Sequence, residues 1–205
     1  IAGFHKANSG RVTLMGQDIT GMPVHEIARR GMVRTFQITQ PFAKLSVHEN
    51  IAVGAYQRYP QRDEAWAHAR RIAEQVGMGA MLEQPAADLT VAGRKRLELA
   101  RTLATGPKLL LLDEVMAGLN PSEIVEIIEI IQKIRASGVT VLLIEHVMQA
   151  VMSLSEHIYV LSYGKIIAEG APREVVSNPA VIEAYLGRGA AEKMALGHAE
   201  EAPHA

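Results

Sequence analysis

Cysteine is missing from all 205 residues. That excludes a disulfide framework and any thiolate metal site. Aromatic residues are scarce, with a single Trp, so the core must be built from aliphatic side chains. Neither sign of charge dominates: 21 Lys and Arg stand against 22 Asp and Glu. A protein that grips nucleic acid through its phosphates shows a basic excess or stripe, so the balance argues against a nucleic-acid partner. No apolar run approaches the roughly 18 residues that span a bilayer, and the opening IAGFHKANSG has no signal-peptide layout. A cytosolic address fits these absences. The chain begins without Met and in mid-pattern, so the expectation is a chain whose upstream part is missing. The most consequential absence is of a motif. No glycine loop ending in Gly-Lys-Ser/Thr, the usual phosphate cradle, occurs in the sequence.

What is present suits one or two compact units with a real core, since 48% of the residues are apolar. Residues 10–20, GRVTLMGQDIT, alternate and are flanked by glycines, which predicts one short strand with turns at both ends. A short helix follows over 22–31, then a strand over 32–37 ending at Gln37. From Ser46 to about Leu103 the periodicity turns helical. Ser46 and Glu49 form a capping box. Ala65, Ala69, Ile72 and Val76 share one face, and Thr90 caps a helix running to about Thr105.

Past Pro107 the pattern changes again. Leu109 to Leu112 form a continuous apolar run, as in a strand covered on both faces. Asn120-Pro121 opens a helix with Pro at its first position and an inner stripe of Ile124, Ile127, Ile128, Ile131 and Ile134. Gly138 ends it, and VTVLLIEH reads as a second fully buried strand. Strand, helix, strand makes a βαβ unit and a parallel sheet. HIYVLSYGKIIAEGAP predicts an antiparallel hairpin around Tyr163-Gly164. Short helices follow near Arg173–Ser177 and Pro179–Leu186. Residues 187–205 lack an apolar face and are expected to form a flexible tail.

Four features could carry chemistry. Asp113-Glu114 closes a buried strand, and ligand sites in α/β sheets lie at the carboxyl ends of parallel strands. Asp113 can hold Mg²⁺, and Glu114 can polarise a water. Two solvated carboxylates are the plain alternative. His146 ends the next strand and would share that rim, where it could donate to a phosphate oxygen or a water; a structural histidine is the alternative. Gln37 ends a third strand, and its amide can ligate Mg²⁺ or sense water, or it can simply be a surface loop residue. Last, Thr90 at a helix cap leaves N–H groups facing an anion. Arg94, Lys95 and Arg96 then crowd the first turn, where exposed cations oppose the dipole at ~0.3–1 kcal/mol each. A bound anion, or an Arg94–Glu98 pair one turn apart, would offset this. His5, His25, His48, His68 and His157 show no paired metal spacing, and no Ser sits in a nucleophile elbow.

Together these features resemble the ATP-binding subunits of ABC transporters over about residues 1–186. Gln37 matches the Q-loop, 89–93 the signature motif, and 109–114 the Walker B strand. AGLN matches the D-loop, and His146 the switch histidine. VRTFQ, DEVMAGLNPSE, LLIEHVM and the stretch IYVLSYGKIIAEGAPREVVSNPAVIEAYLG look most like the ATPases of branched-chain amino-acid importers. The resemblance implies an α/β fold: a P-loop NTPase (RecA-like) parallel-sheet core with an all-helical ABC subdomain inserted, N-terminally truncated. Residues 1–39 would be a remnant of the nucleotide-binding core, 40–104 the helical subdomain with the signature, 105–186 the core with Walker B, D-loop and switch histidine. IAGFHKANSGRVTLMG looks like the segment after the P-loop helix, which would place the phosphate loop upstream of Ile1.

The same resemblance implies ATP and Mg²⁺ as ligands. Glu114 and His146 would be catalytic. Gln37, Thr90, Val91, Ala92, Gly93 and Asn120 would contact nucleotide, and Asp113 and Gln37 would hold the metal. The implied partners are transmembrane permease subunits and a second ATP-binding subunit, identical or not, at the cytoplasmic face of the inner membrane. The signature departs from the usual Leu-Ser-Gly-Gly-Gln, reading Leu-Thr-Val-Ala-Gly, with Ala92 where glycine lets backbone approach a phosphate and Gly93 where Gln is usual. Val115 and Val147 replace the common Pro and Asp. These departures and the missing cradle leave two rivals: a catalytically silent ABC interaction module, and a non-transport ABC ATPase.

Overall fold

The computed structural model describes residues 1–37 and 39–186. The expected flexible tail, 187–205, lies outside the described residues. Contacts within the chain gather into two compact units, Ile1–Val147 and a second beginning at Met148.

The first unit starts with a hairpin rather than the single strand expected. β1 (Thr13–Leu14) and β2 (Gln17–Asp18) pair antiparallel. The chain reverses at Met15-Gly16, both at positive φ, the backbone of a tight two-residue turn. A six-residue helix, α1 (Val24–Arg29), leads into β3 (Met32–Arg34). Leu14, Ile19, Ile27 and Met32 close a small apolar cluster, against which Leu109 and Leu111 pack. β3 stops three residues short of Gln37. At Thr35 the side chain takes over from the ladder: its hydroxyl donates to the Leu111 carbonyl and accepts from the Asp113 N–H.

Three helices follow: α2 (Val47–Ala55), α3 (Arg62–Gln75) and α4 (Val91–Ala104). The Ser46–Glu49 capping box is present. Ala65, Ala69, Ile72 and Val76 are all buried. Asn50 is buried too, and its amide satisfies the turn before α2 by bonding to Phe42, Leu45 and Ser46. Gly54 is where α2 crosses α4 most tightly. A Cβ there would overlap the Arg101 carbonyl oxygen.

β4 (Leu109–Asp113), α5 (Pro121–Ala136) and β5 (Thr140–Ile144) form the βαβ unit. The described sheet runs β3-β4-β5, all parallel. The predicted isoleucine stripe of α5 is buried, and Ile130 widens it. β5 corrects the expectation of a fully buried strand. It lies at the edge of the described sheet, with Leu142 43% and Ile144 62% exposed among the described residues. β4 is intermediate, with Leu110 and Leu112 buried and Leu109 and Leu111 half-covered.

The second unit begins with α6 (Met148–Leu154), which sequence periodicity did not predict. Seven residues are too few to show a pattern of period 3.6. β6 (Ile158–Ser162) and β7 (Lys165–Gly170) form the expected hairpin around Tyr163-Gly164, both at positive φ. α7 (Pro172–Val176) and α8 (Pro179–Leu186) follow.

The crossing at Gly54 yields a test. In an ordinary helix interior Gly→Ala gains up to about 1 kcal/mol of propensity. Overpacking of a close contact costs about 1–3 kcal/mol. The overlap here is with main chain, which cannot swing aside. Gly54→Ala is therefore expected to lower the melting temperature by several degrees. A rise would show that α2 and α4 part freely.

Candidate functional site

Parallel register brings three strand ends to one rim. Asp113 is the last residue of β4 and pairs with Ile144, the last of β5. Glu114 follows at φ 46, a region that non-glycine residues rarely occupy. Its N–H donates to the Ile144 carbonyl at 3.0 Å, and its carbonyl accepts from the Ala117 N–H at 3.2 Å. This left-handed turn, rather than strand alternation, separates the two carboxylates. Asp113 Oδ2 lies 3.3 Å from the Arg34 guanidinium. Arg34 in turn lies over the Phe4 and Phe36 rings, which meet edge to face.

Glu114 gathers the other predicted residues. Gln37 Nε2 donates to Glu114 Oε2 at 2.6 Å, and His146 Nδ1 lies 3.9 Å from Glu114 Oε1. Gln37, Asp113, Glu114 and His146 therefore occupy one site, although Gln37 comes from a loop and not from a strand end. The carboxylate has an amide donor on one oxygen and an imidazole near the other.

The other predicted residues form a second group. Thr90 caps α4, its hydroxyl accepting from the Gly93 N–H at 3.1 Å. Val91 is 55% exposed, whereas Ala92 is only 6% exposed. The Ala92 methyl is thus packed inward and does not stand in front of the helix. Asn120 is occupied otherwise: its side chain accepts from the Glu123 N–H and the Ser122 hydroxyl and caps α5.

The cations in the first turn of α4 are bonded, though not through an Arg94–Glu98 pair. Arg94 donates to the Ala87 carbonyl instead of meeting Glu98. Arg96 pairs with Glu126 on α5. Lys95 is buried, its ammonium donating to the main-chain carbonyls of Gln37 at 3.1 Å and Glu114 at 3.4 Å. Glu98 accepts from the Phe36 N–H at 2.6 Å. Burial holds the Glu98 carboxyl above its usual range, against the opposing pull of that hydrogen bond and of Lys95 and Arg101. Arg101 reaches the Gln40 carbonyl and covers the Phe42 ring. One face of α4 therefore grips the loop that carries Gln37.

Sequence reasoning missed Arg34, Lys95, Glu98 and Glu145. Glu145 accepts from the Met116 N–H at 2.8 Å and from the His146 N–H, joining the segment after β4 to the end of β5. A signal existed for Lys95. Ala92, Lys95, Leu99 and Leu103 follow one another at helical spacing, which places Lys95 on the apolar face. All four are buried.

The ABC transporter family profile matches residues 1–117. The chain belongs to the ABC transporter family of ATPases. A profile for branched-chain amino acid ATP-binding cassette transporters matches residues 165–191. The high-affinity branched-chain amino acid transport ATP-binding protein BraF of Pseudomonas aeruginosa is 39% identical over 204 residues, covering 91% of this chain and 80% of that protein. The corresponding LivG protein of Salmonella typhimurium is 38% identical over 203 residues, with the same coverage. A nucleotide-free ATP-binding cassette from an ABC transporter superposes with a TM-score of 0.82 at 33% identity, over 92% of this chain and 81% of that one. An ATP-binding cassette of an ABC transporter in its ADP conformation gives the same TM-score and identity, over 91% and 80%. The α/β, P-loop NTPase fold of this ABC ATPase follows from those likenesses.

The rim suits a hard divalent cation in its donor types. Mg²⁺ takes oxygen ligands, commonly one or two carboxylates together with substrate phosphates and waters. Asp113 and Gln37 offer such oxygens. Among the described residues no group of three or more acidic or histidine side chains forms a metal cage.

The packing of Ala92 makes a second test. Ala92→Gly removes a buried methyl and adds backbone freedom near the start of α4, a loss of about 1 kcal/mol. It is expected to lower the melting temperature by about 2–4 °C without raising ATP turnover. An unchanged melting temperature with faster turnover would place the methyl in the path of a phosphate instead.

Proposed function

We propose that this ABC ATPase is the ATP-hydrolysing subunit of an importer for branched-chain amino acids. The observation that carries the chemistry is the Glu114 carboxylate held between Gln37 and His146. A carboxylate at a strand end can accept a proton from a water as it attacks a γ-phosphate in line. Gln37, bonded to one oxygen, orients that carboxylate. His146, near the other, can donate to the water or to a phosphate oxygen. Asp113 and Gln37 are the residues that would hold Mg²⁺, which supplies charge neutralisation at the phosphates. Thr90, Val91, Gly93 and Asn120, and Ala92 through its main chain only, are proposed to face nucleotide across a pair of ATP-binding subunits. Thr90 and Asn120 do so from helix starts, where main-chain N–H groups and the helix dipole favour an anion. The names of the relatives support a transport role and the branched-chain substrate.

In this reading the chain works with transmembrane permease subunits and a second ATP-binding subunit, and not with nucleic acid. Among the described residues no helix is long and apolar enough to cross a membrane. Attachment at the cytoplasmic face would therefore run through the permease. One observation favours a silent variant of the same module. The signature-like stretch reads Leu-Thr-Val-Ala-Gly.

Two measurements separate these readings. The 205-residue chain alone is expected to bind Mg-ATP weakly and to show no measurable hydrolysis, because phosphate-loop N–H groups and a lysine make most phosphate contacts in such enzymes. Micromolar affinity in a calorimetric titration would contradict this. In the assembled transporter, Glu114→Gln is expected to abolish turnover while ATP binding persists, since the amide keeps the shape but cannot take a proton. Near-normal hydrolysis by that variant would remove Glu114 from the catalytic role, whereas a wild-type chain that adds no turnover to the assembly would leave the silent module standing.

A further inference from the structure

We infer that Lys95 is a positioning residue that fastens the Gln37 loop and the Glu114 turn to the first turns of α4. The kinetic part of this inference rests on the proposed ATPase activity; the structural part does not. Lys95 is only 6% exposed, and a lysine ammonium is almost never buried to that extent without partners. Its partners here are two main-chain carbonyls from separate segments. One belongs to Gln37, 58 residues away in sequence, and one to Glu114, 19 residues away. The side chains of those same two residues bond each other at 2.6 Å. Lys95 thus closes a triangle whose other two corners carry the reacting groups. Neither Gln37 nor Glu114 is held there by regular structure. Gln37 lies in a loop beyond β3, and Glu114 sits in a left-handed conformation. Glu98, one turn along α4, reinforces the same loop by accepting from the Phe36 N–H, and its carboxylate offsets the ammonium charge.

A buried donor that joins the carbonyls of two separate segments is costly to remove. Lys95→Met keeps the length and apolar stem but takes this donor from the Gln37 carbonyl and leaves the Glu114 carbonyl with the Ala117 N–H alone. Lys95→Arg retains a permanent charge and several N–H donors. Displacing catalytic groups by about 1 Å can cost on the order of a hundredfold in rate. The expectation for Lys95→Met is therefore a fall of about tenfold to a hundredfold in kcat, with KM for ATP changed by no more than about twofold. Lys95→Arg should restore most of the rate.

The test has two readouts. Amide hydrogen exchange on the 205-residue chain should show faster exchange at Phe36, Glu114 and Ala117 in Lys95→Met, with α3 unchanged and with Lys95→Arg close to wild type. ATPase assays on the assembled transporter supply kcat and KM. Faster exchange at those amides, together with a kcat loss rescued by Arg, supports the inference. Unchanged exchange in Lys95→Met overturns it, as does faster exchange with unaltered kcat in an active transporter. An inactive wild-type transporter would count against the ATPase reading alone, and the exchange data would still decide the role of Lys95. Should Lys95→Met fail to fold, Lys95→Gln, which keeps one donor group, takes its place under the same criteria.

Discussion

The in-register parallel pairing of β3 and β5 on β4 is the constraint on which the site depends. It sets Asp113 opposite Ile144, with the Thr35 hydroxyl bonded to the Asp113 N–H, so that the residues just beyond them fall on a common rim. Glu114 then reaches its position by a single backbone choice, the left-handed turn that follows Asp113. A one-residue slip of β5 against β4 would move His146 and Glu145 away from their partners together. That coupling explains why the most distant parts of the site, 77 residues apart in the case of Gln37 and Glu114, still meet within hydrogen-bond distance.

α4 supplies the second anchor. The cations of its first turn, which oppose the helix dipole, are all bonded. Arg94 holds the turn before the helix, Arg96 reaches α5, and Lys95 reaches the rim. Further along, Glu98 and Arg101 take up the main chain of the Phe36–Gln40 stretch. Cations near a helix start are unfavourable by the dipole argument when exposed. Here the cost is offset because each cation meets carbonyls or a carboxylate of another segment. α4 is, by these contacts, the support for the loop that carries Gln37.

Much of this was legible in the sequence, and the reasons divide cleanly. The capping box at Ser46, the helix start at Asn120-Pro121, the isoleucine stripe of α5 and the Tyr163-Gly164 turn are local codes, and each appeared where its residues required. The Gln37, Asp113, Glu114 and His146 grouping was legible too, because motif order combined with a parallel sheet leaves few other placements. What escaped reading was set by non-local partners. The hairpin at Met15-Gly16 needs a non-glycine residue at positive φ, which residue type alone does not announce. The exposure of β5 depends on which elements cover its face, while its apolar run reads the same either way. Lys95 and Glu98 are charged residues whose burial follows from loops that fold over them.

These two anchors also explain how a left-handed turn can hold the Glu114 carboxylate steady. A left-handed non-glycine residue costs roughly 1–3 kcal/mol and persists only where its surroundings over-determine it. Around Glu114 the surroundings do so from several directions. Its N–H is fixed by Ile144, its carbonyl accepts from Ala117 and Lys95, and its side chain is held by Gln37. Glu145 secures the next segment at Met116. Removing any one contact leaves the others in place, so the turn should survive single losses while its aim degrades. A site built in this way would show its defects first in the precision of catalysis, and only later in the stability of the fold.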